Sequence, residues 1–425
     1  MENKMNYSDM SHIELIAELE KQRKIYESYL DKKLNLNMAR GKPGADQLEI
    51  SVDMQVDVSS PFAEDGTDCR NYGLLDGIPE AKRLFGTILE APSENVIVCG
   101  NSSLNLMFDT IARSMIFGSY KGATPWCKQE KIKFLCPVPG YDRHFAITET
   151  FGIEMINIPM TPEGPDMDLV EKYVENDSTV KGIWCVPKYS NPDGYTYSDE
   201  TVRRFANLKP AADDFRIFWD NAYVVHDLYD EGDKLLSIYD EAKKAGNENI
   251  FIMFASTSKV TFPGSGISAI VSGKENIEFI KSILTVQTIG FDKMNMLRHV
   301  EFLKDFDSLK AHMKRHAEIL RPKFETVLDA FESELSCLPN TRWTRPRGGY
   351  FITLYLDKNC ASRTFELCKK AGVTLTNAGA TFPYGKDPDD SVLRIAPTFP
   401  PVDELKVAVA VLVCAAKIAT LEKLV

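Results

Sequence analysis

Six short segments of the chain carry side chains that could do chemistry together. Lys259 closes the run Ser256-Thr257-Ser258-Lys259, just after the apolar stretch 250–254. Asp220 and Tyr223 follow the apolar stretch 217–219, and Asn191 lies in Asn191-Pro192-Asp193-Gly194, after 182–186. Tyr141 ends the turn Pro137-Val138-Pro139-Gly140-Tyr141, and Asn101-Ser102-Ser103 opens an amphipathic stretch after 96–99. Arg394 stands between Leu393 and Ile395, where an unpaired charge is costly. A lysine amine condenses with an aldehyde. A carboxylate keeps a pyridine nitrogen protonated, so that the ring can accept electrons. Hydroxyls at a helix start suit a phosphate, an aromatic side chain covers one face of a ring, and an amide and a phenol donate to a phenolic oxygen. Those are the requirements of pyridoxal phosphate.

The elements that must position these residues are also visible. Short, almost continuously apolar runs at 96–99, 132–135, 182–186, 217–219, 250–254 and 267–271 alternate with longer helical stretches. Strands of that kind are buried on both faces, which predicts an α/β fold with a mostly parallel sheet between helices. Such sheets bind ligands at the carboxyl ends of their strands, where five of the six segments fall. A helix is expected around 8–33, a long helical region over 276–334, further strands at 350–354 and 392–395, and a last helix from Val402. This tail reads as a second, smaller α/β domain.

Composition narrows the function. The chain has 425 residues and a net charge of −11, which argues against nucleic acid as a partner. The longest apolar run, Val407 to Ala416, is too short for a bilayer, which needs about 20 residues, so no membrane partner is expected. Met1 to Leu36 has no apolar core of a targeting signal. Nine cysteines without CxxC pairs fit reduced thiols and a cytoplasmic location, with Cys99, Cys136 and Cys185 as core residues. His312 and His316 have the spacing of a metal pair but no third ligand. They predict a solvated helix face, and no metal is expected.

Together the segments around Asn191, Asp220 and Lys259 resemble the fold-type I aminotransferases that use pyridoxal phosphate. The resemblance extends to Asn71-Tyr72-Gly73 and Leu393-Arg394-Ile395, from Arg40 to about Leu412. It is strongest to the type Ic aspartate aminotransferases, through Arg40-Gly41-Lys42-Pro43, Ser258-Lys259-Val260-Thr261-Phe262, and Ile289-Gly290-Phe291-Asp292-Lys293 with Arg298-His299. It implies a large cofactor-binding domain over 51–310 and a small domain built from 1–50 and 311–425.

The resemblance also implies roles. Lys259 would form the Schiff base and carry the proton, with Asp220 at the pyridine nitrogen and Asn191 and Tyr223 at the phenolic oxygen. Tyr141 would stack on the ring. Asn101, Ser102, Ser103 and Ser256 would hold the phosphate, joined by Tyr72 from the other subunit of a homodimer. Arg394 would clamp the substrate α-carboxylate in two parallel hydrogen bonds, beside Asn191 and the backbone of Gly41. Many relatives have an arginine where Gly266 stands, so the phosphate must either lose one positive contact or recruit another from Ser265, Lys42 or a partner residue. For an acidic substrate side chain Lys293 is the cation singled out, with Arg347 and Arg40 as rivals and a helix-capping role for Lys293 equally open. The expected reaction is ping-pong transfer from an L-amino acid, aspartate or glutamate, to a 2-oxo acid. A β-lyase or decarboxylase would use the same cofactor residues. A non-catalytic regulator would need a basic DNA-binding domain, for which the residues ahead of Arg40 give no helix-turn-helix signal.

Overall fold

In a computed structural model, residues 5–55 and 58–425 are described. The first four residues of the polar N-terminal stretch therefore lie outside it. Among the described residues thirteen strands form three sheets. In chain order they are β1 (Leu36–Asn37), β2 (Val96–Cys99), β3 (Lys133–Val138), β4 (Glu154–Thr161), β5 (Gly164–Pro165), β6 (Val180–Cys185), β7 (Arg216–Asp220), β8 (Phe251–Ser256), β9 (Ser268–Ser272), β10 (Arg342–Trp343), β11 (Ile352–Tyr355), β12 (Val373–Thr374) and β13 (Val392–Ile395).

The large sheet has the order β2-β9-β8-β7-β6-β3-β4-β5. Its centre is parallel, with β4, β3, β6, β7 and β8 running the same way, and β9 reverses direction to pair antiparallel with β8 and β2. The apolar runs are continuous because alternate residues enter different cores. Trp219 and Met253 pack on one face of the sheet, Phe218 and Phe254 on the other. Cys99, Cys136 and Cys185 are buried in these layers, as expected of small core residues. β4 gave no comparable signal, since its burial alternates along the strand.

A third core joins the helix His12–Leu30, the helix Phe306–Glu334 and the last helix, Val402–Leu424, to the three-stranded sheet β10-β11-β13. Ser11 starts the first helix with a capping box completed by Glu14. The expected helical region over 276–334 is three helices, Lys274–Gln287, Lys293–Leu303 and Phe306–Glu334. The second break follows from Lys304, whose φ of 56° no helix accommodates. The run Val407–Ala416 belongs to the last helix, and no helix among the described residues is long and apolar enough to cross a membrane.

Candidate active site

The parallel strands end together, and a cavity of about 380 Å³ opens there. Ser102, Ser103, Tyr141, Asn191, Asp220, Tyr223, Ser256, Lys259, Gly41 and Arg394 all line it. A larger cavity, about 860 Å³, opens beside Lys188, Asn221 and Asp227 and receives none of the predicted side chains.

Asp220 is the last residue of β7 and is buried. His144 Nε2 lies 3.0 Å from its Oδ2, and the His144 ring stacks on Trp184 at 4.4 Å and 11°. The other oxygen, Oδ1, is buried without a donor among the described residues. A buried carboxylate oxygen left unpaired is expensive, and a protonated pyridine nitrogen would fit it, since it would bring an N–H. Lys259 Nζ lies 4.9 Å from the centroid of the Tyr223 ring. Burial holds its amine below the usual lysine range, and the charge of Asp220 opposes that shift. Burial also pushes the Tyr223 phenol well up, and the Tyr141 phenol to about 12.

The residues expected at the phosphate stand at the start of the helix Ser103–Phe117, which Ser102 caps by accepting from Leu104 N at 3.2 Å. Ser256 Oγ donates to Ser258 Oγ, and Ser258 Oγ to the carbonyl of Asn101, each at 3.1 Å. Asn101 thus shapes the loop through its backbone, and Ser258 joins the predicted set on the cavity wall. Position 266 has little room for a side chain, because a Cβ there meets Thr257 Oγ1 at 3.1 Å and the Asn101 carbonyl at 3.2 Å. Of the two compensating residues named within this chain, Lys42 lines the cavity and Ser265 does not.

At the opposite end Arg394, on β13, donates from Nη1 to Asn191 Oδ1 at 3.2 Å and to Asp142 Oδ1 at 2.7 Å. Its Nε and Nη2 donate to Thr376 Oγ1 at 3.4 and 3.3 Å, and Phe351 lies under the guanidinium at 4.9 Å. Gly41 packs against that same ring, where a Cβ would come within 2.3 Å of Phe351 Cζ. Asp142 and Thr376 were not singled out from sequence. Asp142 follows Tyr141 directly, and only the fold brings it to Arg394.

Three predicted site residues, Asn101, Tyr72 and Lys293, are not among those that line the cavity. Tyr72 is 80% exposed, outside the cavity. Lys293 is buried at the first turn of its helix, and its Nζ donates to the Gly73 carbonyl at 3.0 Å. Gly73 lies in a loop, so this bond caps no helix, and it uses one of the three ammonium hydrogens. Arg347 is exposed and donates to the Glu231 carbonyl. Of the three named cations only Arg40 lines the cavity, joined there by Lys42 and Arg143.

His312 and His316 do not form a solvated face. Both are buried, with Nε2 atoms 2.8 and 3.0 Å from the carbonyl of Val260, the residue after the lysine. Gln47 accepts from Gly44 N, which orients its amide so that Nε2 meets His316 Nδ1 and donates to Tyr350 Oη, each at 3.0 Å. On the other side His226 Nε2 lies 3.4 Å from the Lys259 carbonyl. Beneath the loop His299 Nε2 lies 3.0 Å from both Thr257 Oγ1 and Thr261 Oγ1. The lysine loop is thus held by neutral histidines, which hydrogen-bond without adding charge near the amine.

The family model for aspartate aminotransferase matches residues 10–425. The chain belongs to this family. An aspartate aminotransferase of Corynebacterium glutamicum is 44% identical over 385 residues, covering 90% of this chain and 89% of the relative. The crystal structure of an aspartate transaminase from that species superposes with a TM-score of 0.96 at 41% identity, covering 99% of this chain and 100% of the other. The fold is shared more widely, with LysN, an α-aminoadipate aminotransferase of Thermus thermophilus crystallised with N-(5'-phosphopyridoxyl)-L-leucine, at a TM-score of 0.73 and 20% identity over 98% and 96% of the two chains. The aspartate aminotransferase family thus accounts for nearly the whole chain, and the lyase, decarboxylase and regulator alternatives give way to amino transfer.

Proposed function

We propose that this aminotransferase uses pyridoxal phosphate held by Lys259 and moves the amino group of aspartate or glutamate to a 2-oxo acid by a ping-pong mechanism. The observation that carries the reading is Asp220, with one oxygen held by His144 and the other buried without a donor among the described residues, on the cavity that Lys259 also lines. When bound, the cofactor supplies an aldehyde for the lysine and a ring that takes up the electron pair left at Cα. Asp220 balances the charge at the ring nitrogen. Asn191 Oδ1 accepts from Arg394, which leaves its NH₂ to donate to the phenolic oxygen that Tyr223 would also meet. Arg394 binds the α-carboxylate, and the Lys259 amine, lowered by burial, takes the Cα proton and returns it. Arg40, Lys42 and Arg143 supply the positive wall that a second carboxylate requires.

The working unit in this proposal is a homodimer. Tyr72 is 80% exposed and Ile289 62%, and the Gly73 carbonyl lies 2.8 Å from where a Gly290 Cβ would stand, so the two belong to one surface. That surface suits a second copy of the chain, to whose phosphate Tyr72 would reach.

The test is a set of half-reaction spectra in the holoenzyme with a panel of amino acids and no acceptor. Aspartate and glutamate are expected to convert the cofactor to its amine form faster than neutral amino acids. Lys259→Ala is expected to abolish turnover, and full turnover in that variant would refute the proposal.

A further inference from the structure

We propose that Asp142 is a resident carboxylate, occupying the Arg394 clamp between turnovers and yielding it to the α-carboxylate of the substrate. The inference rests on the reading of Arg394 as the substrate clamp. A guanidinium has five N–H hydrogens. In Arg394 the Nε hydrogen and one on Nη2 point at Thr376 Oγ1, while Nη1 serves both Asn191 Oδ1 and Asp142 Oδ1. Both Nη1 hydrogens are spoken for, and Nη2 keeps one. A carboxylate held in two parallel bonds needs one hydrogen from each of two neighbouring nitrogens. Asn191 and Thr376 are neutral and position the fork, so the bond to give up is the one to Asp142.

Burial and charge favour the same exchange. The Arg394 side chain is 6% exposed, and a buried cation without a counter-charge is costly. Asp142 supplies that charge when no substrate is bound. Its own side chain is 32% exposed and starts the helix Asp142–Thr150, where the free N–H groups tolerate an anion. It can therefore leave the clamp without becoming a buried unpaired charge. The exchange replaces one carboxylate by another, keeps Arg394 oriented throughout, and lowers the affinity for every ligand that must displace Asp142. Asp142 is thereby an affinity-setting residue whose effect falls on KM.

The experiment is calorimetric titration of the holoenzyme with succinate, a dicarboxylate with no amino group to react, alongside the KM for aspartate. Asp142→Asn and Asp142→Ala are expected to bind succinate about five-fold tighter than the parent, the equivalent of one partly exposed ion pair, with a matching fall in KM. Two variants of different shape keep a folding defect in one from deciding the result. Arg394→Ala is expected to lose succinate binding. If it does, and neither Asp142 variant binds more tightly, the resident-carboxylate proposal is overturned and the clamp stands. If Arg394→Ala binds succinate like the parent, the clamp reading itself fails.

Discussion

At the scale of single residues, the role proposed for Asp220 rests on a difference between its two oxygens. One lies 3.0 Å from His144 Nε2, and the other is buried without a donor among the described residues. Replacing His144 by Phe keeps a ring against Trp184 but leaves both oxygens without a protein donor. The carboxylate then loses a bond worth about 2 kcal/mol, and kcat is expected to fall by roughly thirty-fold. Steady-state kinetics, with cofactor absorbance as a check on loading, measure this. Gly41 offers a second test. A methyl group there would drive the Phe351 ring from beneath Arg394. Gly41→Ala is therefore expected to raise the KM for the amino donor by about ten-fold, near 1.4 kcal/mol of lost binding, with a smaller effect on kcat.

At the scale of elements, the lysine loop after β8 is a backbone segment fixed from several sides. His226, His312 and His316 meet its carbonyls, and His299 ties Thr257 to Thr261. Burial pushes His299 and His316 down to about 4, from an ordinary value near 6.5. Between those values the unfolded chain binds protons that the native loop refuses, so stability rises with pH across this window. Stability contributed by these neutral rings is complete above about pH 6.5 and is lost as the pH falls toward 4. Thermal melts between pH 4.5 and 7.5 are expected to show that slope. His316→Gln should be less stable at pH 7.5 yet show a shallower slope, and an unchanged slope would remove His316 from this account.

At the scale of the whole molecule, the proposed homodimer makes a sharp prediction. Tyr72→Asp chains, which would set a negative charge beside the phosphate, and Lys259→Ala chains, each expected to be nearly inactive alone, are expected to regain activity when refolded together, because one mixed site receives both intact residues. Recovery to about a quarter of the parent activity per active-site pair, by mixing statistics, would appear only if Tyr72 serves the other subunit.

Much of this molecule was legible in the chain itself. The apolar runs of β2, β7 and β8 announced a covered sheet because residues such as Phe218 and Trp219 are both buried, on opposite faces. The types of residue following those strands announced the chemistry, since covalent order places Asp220 and Lys259 at strand ends wherever the strands go. Other features depended on faces and partners that spacing does not specify. Helical period put His312 and His316 on one side, but only packing turned that side toward Val260. Lys293 had the right charge and place in the sequence, and only the fold shows that its ammonium meets the Gly73 carbonyl. Asp142 and Arg394 are separated by 252 positions and meet only when β13 is laid beside the start of the helix Asp142–Thr150. The sequence by itself determined which reactive groups the strand ends would carry, because that is local. Which charge faces which was decided by the tertiary structure, because long-range contacts depend on how separate elements are packed.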